Sequence, residues 1–248
     1  MAKRIFQIVD NVITFIGDKG LEVAGDSTDC KMVGGEFVNN TCIINNVKKP
    51  VDNYTGNRNI LGIGNTIDED AINNNIIGDY NTLVNVDNTH TIGKFAHTIR
   101  HSEFNHAITS SLGRTQRSVL MFEGRTTDAT QTEIFIGGES GKRFIIDETK
   151  ESVIALECYI LARRIDSSDD ACMAKYQRNT FRVHAGVLSR IGQNNLTNHN
   201  HGINGWTNDF TAESDTPDYI KVTCTGELRV TIDWSVIVMV NELKTSFI

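Results

Sequence analysis

The sequence predicts an all-β chain, on three observations. Apolar residues alternate with polar ones over many short stretches, a small apolar residue followed by glycine keeps returning, and no segment beyond about ten residues holds a convincing helical period. The expected architecture has short N-terminal strands over residues 1–30, a β-solenoid-like repeat shaft over 31–137 and a C-terminal antiparallel β-sandwich or jelly-roll over 138–248. The whole is expected to form an intertwined homotrimer.

The leader carries its own pattern. Ile5, Gln7 and Val9, then Val12, Thr14 and Ile16, alternate around Asp10-Asn11, which reads as a hairpin turn.

In the next hundred residues, glycine punctuates Asn/Thr/Asp-rich stretches at Met32-Val33-Gly34, Gly62-Ile63-Gly64-Asn65, Ile76-Ile77-Gly78-Asp79, Thr91-Ile92-Gly93-Lys94, Ser111-Leu112-Gly113-Arg114 and Phe135-Ile136-Gly137. Gly64 and Gly78 are 14 residues apart, and Gly78 and Gly93 are 15 apart. Short strand, turn, short strand and turn make one coil of a solenoid, with glycine at positions of positive φ. A coil cannot bury its apolar residues alone, so coils stack. With so few inward apolar residues per coil, three copies about one axis would repair the core.

From residue 138 the strands lengthen. Ile154, Leu156, Cys158, Ile160 and Ala162 share one face, as do Phe181, Val183, Ala185 and Val187. Ile220, Val222 and Cys224, then Val230, Ile232, Trp234, Val236, Val238 and Val240, follow the same rule across a Gly226-Glu227 turn. This is an antiparallel arrangement with one buried face. Asp166–Gln177 is the one weak helical candidate.

Composition narrows the function. The 248 residues are 39% hydrophobic, with a formal net charge of −7 and no Lys/Arg run, which argues against nucleic-acid binding. The longest apolar run, Ile232 to Val240, contains Asp233 and falls short of a membrane helix, so no membrane insertion is expected. With no signal-like segment, a soluble product of a cytosol is the expectation. Five scattered cysteines without a CxxC pair suggest buried, reduced thiols.

The candidate sites are few, and no cofactor is expected. His199 and His201 are the metal candidates, because residues i and i+2 of a strand point to one side. His90, His97, His101 and His106 have no fixed spacing and read as surface or core residues. Trp206, with Asn204 and Asn208, is the receptor-binding candidate: an exposed indole stacks on sugar rings, although core packing is the simpler role. Arg163, Arg164, Asp166, Asp169 and Asp170 form the densest charge cluster; a glycosidase carboxylate pair is one reading of it, and an ion-paired turn the preferred one. Ser110-Ser111 and Ser140-Gly141 lack a GxSxG frame. The Gly137–Arg143 stretch lacks a P-loop frame and reads as a hinge between shaft and terminal domain.

Two regions resemble known families. The glycine coils between Asn57 and Gly113 resemble the head repeats of trimeric autotransporter adhesins, which also occur in phage fibres. Gly62-Ile63-Gly64-Asn65, Ile77-Gly78-Asp79 and Ile92-Gly93-Lys94 carry that likeness. The stretch from Gly138-Glu139-Ser140-Gly141-Lys142-Arg143-Phe144 through Leu161-Ala162-Arg163-Arg164-Ile165-Asp166, with Trp206, Asp209-Phe210-Thr211-Ala212, Ile220–Glu227 and Ile232–Val236, resembles a C-terminal domain of phage tail and fibre proteins. It departs from that family over Arg190–Gly205, an Asn/His/Gly-rich loop.

The resemblance implies a structural component of a bacteriophage virion: a trimeric tail or head fibre or spike, assembled in the host cytoplasm. The N-terminus would attach it to other virion proteins of tail or capsid, and the far end would meet a host cell-surface glycan. A non-enzymatic chain is expected. The alternatives are a polysaccharide-degrading tailspike and a capsid decoration protein without a receptor role.

Overall fold

The computed structural model describes residues 59–68, 71–167, 170–203 and 205–245, and before them only the strands named next. The chain divides into two compact units, Met1–Asn53 and Tyr54–Ile248. All described secondary structure is β, with no helix among the described residues.

The first unit holds β1 (Ile5–Val9), β2 (Val12–Ile16), β3 (Glu22–Val23), β4 (Glu36–Val38) and β5 (Thr41–Ile43) in one antiparallel sheet of order β1-β2-β5-β4, with β3 also on β2. Val9 pairs with Val12 and Ile5 with Ile16, the register that a two-residue turn at 10–11 requires. The Met32-Val33-Gly34 motif, Cys30 and the turn residues themselves lie outside the described residues.

The second unit opens with a parallel β-solenoid of about three turns. Its long side stacks β6 (Asn59–Leu61), β8 (Asn75–Asp79), β10 (His90–Lys94) and β12 (Phe104–Ile108), and its short side β7 (Thr66–Ile67), β9 (Thr82–Leu83) and β11 (His97–Thr98). Asn59 pairs with Asn75, Asn75 with His90 and His90 with Phe104, so successive coils are 16, 15 and 14 residues long. The aligned glycines are therefore Gly62, Gly78 and Gly93, followed by Ala107. The 14-residue spacing from Gly64 to Gly78 is corrected: Gly64 aligns instead with Tyr80 and Phe95.

That difference has a physical cause. A Cβ on Gly78 or Gly93 would collide with the backbone carbonyl of the next coil, and both residues have φ near +120° (124° and 115°), so only glycine fits. Gly64, Tyr80 and Phe95 instead occupy a left-handed corner at φ 67°, 57° and 60°, where Tyr80 and Phe95 stack at 5.4 Å. The opposite corner is left-handed at Asn73, Asn88 and Ser102, and asparagine tolerates this region.

Asparagines lock one coil to the next. Asn65 Nδ2 donates to Gly78 O (2.7 Å) while its Oδ1 accepts from Asn81 N (2.9 Å). Asn81 repeats the arrangement with Gly93 O (3.0 Å) and Ala96 N (2.8 Å). Asn74 does the same with Val86 O and Thr89 N (2.9 and 3.0 Å). Each such bond contributes about 1 kcal/mol net, and each satisfies a backbone group that the corner would otherwise strand. Asn65, Asn74 and Asn81 are thus spent on coil corners.

The parallel register ends at β12. β13 (Thr115–Thr126) runs antiparallel to it, so the sheet continues without a break into the antiparallel body. The boundary drawn at residue 137 lies inside that body. The Gly137–Arg143 stretch is a turn between β14 (Gln131–Ile136) and β15 (Phe144–Ile145), not a hinge below the solenoid.

The body adds β16 (Ser152–Arg164), β17 (Cys172–His184), β18 (Val187–His201), β19 (Thr207–Glu213), β20 (Tyr219–Thr225) and β21 (Ile232–Lys244). The main sheet runs β18-β17-β16-β21-β13-β12-β10-β8-β6, while β20 carries β19 on one side and β14 and β15 on the other. Even-numbered residues of β13, β16 and β21, among them Phe122, Leu156, Ile160, Trp234 and Val238, meet Ile134, Phe210, Ile220 and Val222 in one buried cluster. The alternation read from the sequence holds for Ile154–Ala162, Phe181 and Val183, and Val230–Val240, whereas in Ile220–Cys224 Thr223 is buried along with the apolar residues.

Two local expectations fail. Asp166–Gln177 contains no helix among its described residues; from Cys172 it is strand, because Met173, Gln177 and Asn179 face inward at strand period. The strand expected to run through Val187 turns at Ala185-Gly186, both left-handed (φ 52° and 74°), which makes a two-residue hairpin.

Candidate functional site

The main sheet buries one face and leaves the other open, and that outer face is the site. Its residues fall in cross-strand rows fixed by register. One row runs Leu61, Ile77, Ile92, His106, Arg117, Asn241 and Ala155. The next runs Asn75, His90, Phe104, Val119, Met239, Glu157 and Arg178. A third sets Met121, Ile237, Tyr159 and Tyr176 side by side, the two tyrosines stacked at 4.7 Å. Leu61, Ile77, Phe104, Met121, Tyr159 and Leu161 are each at least 40% exposed, so an apolar band runs along this face from the solenoid into the body, flanked by His106, Arg117 and Asn241.

Beyond the tyrosines the face turns hollow, with charged and polar groups set among apolar walls. A trough of about 1040 Å³ spans five strands, from Glu123 and Arg125 on β13 through Asp233, Arg163 and Cys172 to His199 and His201 on β18. Asp233 lies opposite Arg125 on one side and Arg163 on the other. Arg125 grips it with Nε and Nη2 at 2.7 and 3.2 Å. That hydrogen-bonded partner raises the Arg125 pKa above its ordinary value. Cys172 sits opposite His201, and His201 Nε2 reaches Asp170 Oδ1 at 3.1 Å. The row offers guanidinium, carboxylate, thiol and imidazole groups to a ligand in the trough.

The sequence candidates are placed as follows. His199 and His201 lie on strand, not on an irregular loop, and both line the trough. Among the described residues, no group of three His, Cys, Asp or Glu side chains is arranged to hold a metal ion. Trp206 is 5% exposed, packs on Trp234 at 6.0 Å and donates from Nε1 to Glu227 (3.2 Å). Its ring is core, closed to a sugar in the isolated chain, which corrects its reading as an exposed receptor-binding residue. Asn208 is likewise buried, accepting from Lys175 Nζ (2.9 Å) and donating to Gln177 (3.2 Å). Asn204 lies outside the described residues.

In the charge cluster, Arg164 pairs with Asp166 at 2.6 Å, and Asp166 also accepts from Thr231 N; these two bonds hold its carboxyl below the usual range. Arg163 faces the trough, and Asp169 lies outside the described residues. Cys158 and Cys224 are buried, whereas Cys172 is exposed, a correction to five buried thiols. His90 takes part in a hydrogen bond with Asn75 (2.8 Å) and stacks on Phe104 (5.0 Å).

What sequence reasoning missed is a buried ionic layer where the last coil meets the body. Arg100 has no exposed surface. It donates to Glu103 (3.0 Å), to both oxygens of Glu242 (3.4 and 3.3 Å) and to Ile145 O (2.8 Å), with its guanidinium 4.5 Å over the Phe144 ring. Gln116 also donates to Glu242 (3.0 Å), and Lys244 Nζ stands 3.6 Å from it. No local motif announces this layer, since its members come from three distant stretches of chain.

No family model matches the chain, and no curated protein matches it in sequence. Solved structures similar to it are phage tailspikes. Against the tailspike gp49 of Acinetobacter baumannii bacteriophage Fri1, described as a capsular polysaccharide depolymerase, identity is 10% and TM-score 0.31, over 75% of this chain and 38% of that one. Against the A. baumannii phage AM24 tailspike the values are 8%, 0.25, 63% and 34%. Against the tailspike of Acinetobacter phage vB_ApiP_P1 they are 12%, 0.19, 71% and 38%. The chain spans less than two-fifths of the length of each of these proteins. At these scores no residue-by-residue correspondence is drawn. The expectation of a non-enzymatic chain is nevertheless corrected: one of these tailspikes is described as a capsular polysaccharide depolymerase, and that expectation is withdrawn.

Proposed function

We propose that the chain is a subunit of a homotrimeric bacteriophage spike or fibre, carried on the virion, whose outer sheet face packs against two identical copies. One observation carries this reading: the apolar band from Leu61 and Ile77 to Tyr159 and Leu161 lies on one face of one continuous sheet. Monomeric proteins rarely leave a large contiguous apolar patch in water, and at about 25 cal/mol per Å² its burial is a strong drive to associate. The resemblance of residues 138–242 to a terminal domain of phage fibres supports the same assignment. Attachment to other virion proteins through the N-terminal unit, and contact with a host-surface glycan at the hollow end of the face, complete the proposal. A capsular polysaccharide is the substrate class against which catalysis is tested.

Light scattering on the purified chain tests the assembly. Three chains per particle are expected, and Met121→Asp with Ile237→Asp should release single chains that keep their β circular dichroism. A wild-type particle of one chain's mass at micromolar concentration overturns the proposal. Incubating the trimer with capsular polysaccharide, with new reducing ends as the readout, decides whether the attached glycan is also cleaved.

A further inference from the structure

A second concavity lies where the last solenoid coil meets the body. It measures about 420 Å³, with Ile99, Ile145 and Pro217 on its apolar side and His97, Asp147 and Lys150 on its polar side. Sites for small ligands have this size and this mixture, mostly apolar walls with a few polar groups.

The polar groups are not equally committed. Asp147 is engaged: its Oδ1 accepts from Thr149 N (3.3 Å) and Oγ1 (2.6 Å), and its Oδ2 stands 3.8 Å from Lys244 Nζ. His97 lines the cavity with its ring, while its Nδ1 is buried beside Gly113 without a hydrogen-bond partner. Lys150 makes no ion pair among the described residues.

The field in the cavity has a sign. Burial is the first cause that lowers the His97 pKa to about 4; next, Lys244 outweighs Asp147, and Lys150 outweighs Glu242. The imidazole is therefore neutral near pH 7 and sits in a net positive field, which favours an anionic ligand.

We propose that this cavity binds a carboxylated sugar, a hexuronate either free or at the end of a glycan. Its carboxylate lies on the Lys150 ammonium, its hydroxyls on the His97 imidazole and on Asp147, and its CH face on Ile99, Ile145 and Pro217. A simple carboxylate would leave the apolar walls and most of the volume unused, and a neutral sugar would leave Lys150 unpaired. Every lining residue belongs to one compact unit, so the site is complete in a single chain and does not rest on trimer formation.

Saturation-transfer NMR on the full chain tests it, titrating glucuronate, glucose, acetate and a glucuronate-terminated oligosaccharide against wild type, Lys150→Met and His97→Gln. Circular dichroism verifies that each variant is folded. Glucuronate should bind at least about tenfold more tightly than glucose or acetate, and Lys150→Met should weaken it by about tenfold, the scale of one lost charge-assisted contact. His97→Gln should weaken it as well. Comparing the monosaccharide with the capped oligosaccharide identifies the natural source. Equal binding of glucose or acetate, an unchanged glucuronate affinity in Lys150→Met, or no saturation transfer from glucuronate overturns the proposal. Light scattering on the same samples separates this failure from a failure to trimerise.

Discussion

Two layers of the same solenoid are built on opposite chemistry. Along its inner columns, Ile60, Ile76, Thr91 and Asn105 occupy equivalent positions, as do Ile67, Leu83 and Thr98. The early coils are apolar inside: Ile76, Leu83 and Val86 have no exposed surface, with Ile60 and Ile67 against them. One coil later the same columns hold hydroxyls, Thr91 bonded to Thr98 at 2.8 Å, and Asn105 then donates to Thr98 at 3.0 Å. Beneath them lies the ionic layer of Arg100, Glu103, Glu242 and Lys244. Apolar columns hold coils together with little preference for which coil stacks on which. A layer of paired charges and directed hydrogen bonds is satisfied in one arrangement, and it sits where the parallel register must hand over to an antiparallel strand.

The largest effect expected from this contrast is at Arg100. Arg100→Met leaves Glu103 buried without its cation and Glu242 with only Lys244, and breaking a buried pair from one side costs about 3–5 kcal/mol. Urea unfolding should show that loss, while Arg100→Met combined with Glu103→Gln and Glu242→Gln should recover most of it. If the single substitution costs less than about 1 kcal/mol, the layer does not hold the handover and the contrast fails.

Next in size is the apolar column. Ile76→Ala opens a cavity between two coils and should cost about 2–5 kcal/mol in the same assay. The two layers should not differ in their response to salt. Ile76→Ala keeps its cost at high ionic strength, and so does Arg100→Met, because buried pairs are screened far less than exposed ones. The exposed Arg125–Asp233 pair, about half accessible on both sides, should contribute little at any salt concentration.

The parts of this structure that were legible in the sequence are those whose cause is local. Strand alternation in Ile154–Ala162 and Val230–Val240 follows from period two alone, and the Val9–Val12 hairpin from its spacing. Coil glycines are visible because only glycine survives the close approach of the next coil. Their exact alignment was not legible, since Gly62 and Gly64 serve different needs: one spares a carbonyl, the other lies under the Tyr80 ring. The trough could not be read in advance. It forms because β21, last in sequence, inserts between β13 and β16 and brings Asp233 between Arg125 and Arg163. Trp206 misled because its Asn/Gly neighbours suggest an exposed loop, whereas Trp234 supplies a packing partner from a strand far along the chain. Ala185 hid a hairpin because alanine is an unusual choice for a left-handed turn position.

A further effect separates the two layers by pH. His97 sits beside the ionic layer, facing Lys244 and Glu242 from β21 and Asp147 and Lys150 from the loop after β15, and burial pushes its folded pKa down to about 4, below the ordinary 6.5. Between those two values the unfolded chain binds more protons than the folded one. Stability is therefore fully present above about pH 6.5 and falls as the pH drops toward 4, by on the order of 2–3 kcal/mol. Asp147 and Glu242, whose carboxyls are held below the usual range chiefly against their own burial by Thr149 and Lys244 in the first case and by Arg100 and Lys244 in the second, add to the loss only at still lower pH. His97→Gln should flatten the slope between pH 6.5 and 4.5 in urea unfolding, and Ile76→Ala should leave that slope as it is in wild type. A slope that persists in His97→Gln would place the acid sensitivity elsewhere. The charged layer would then be insulated from the cavity beside it, and the contrast between the two layers would be one of packing alone.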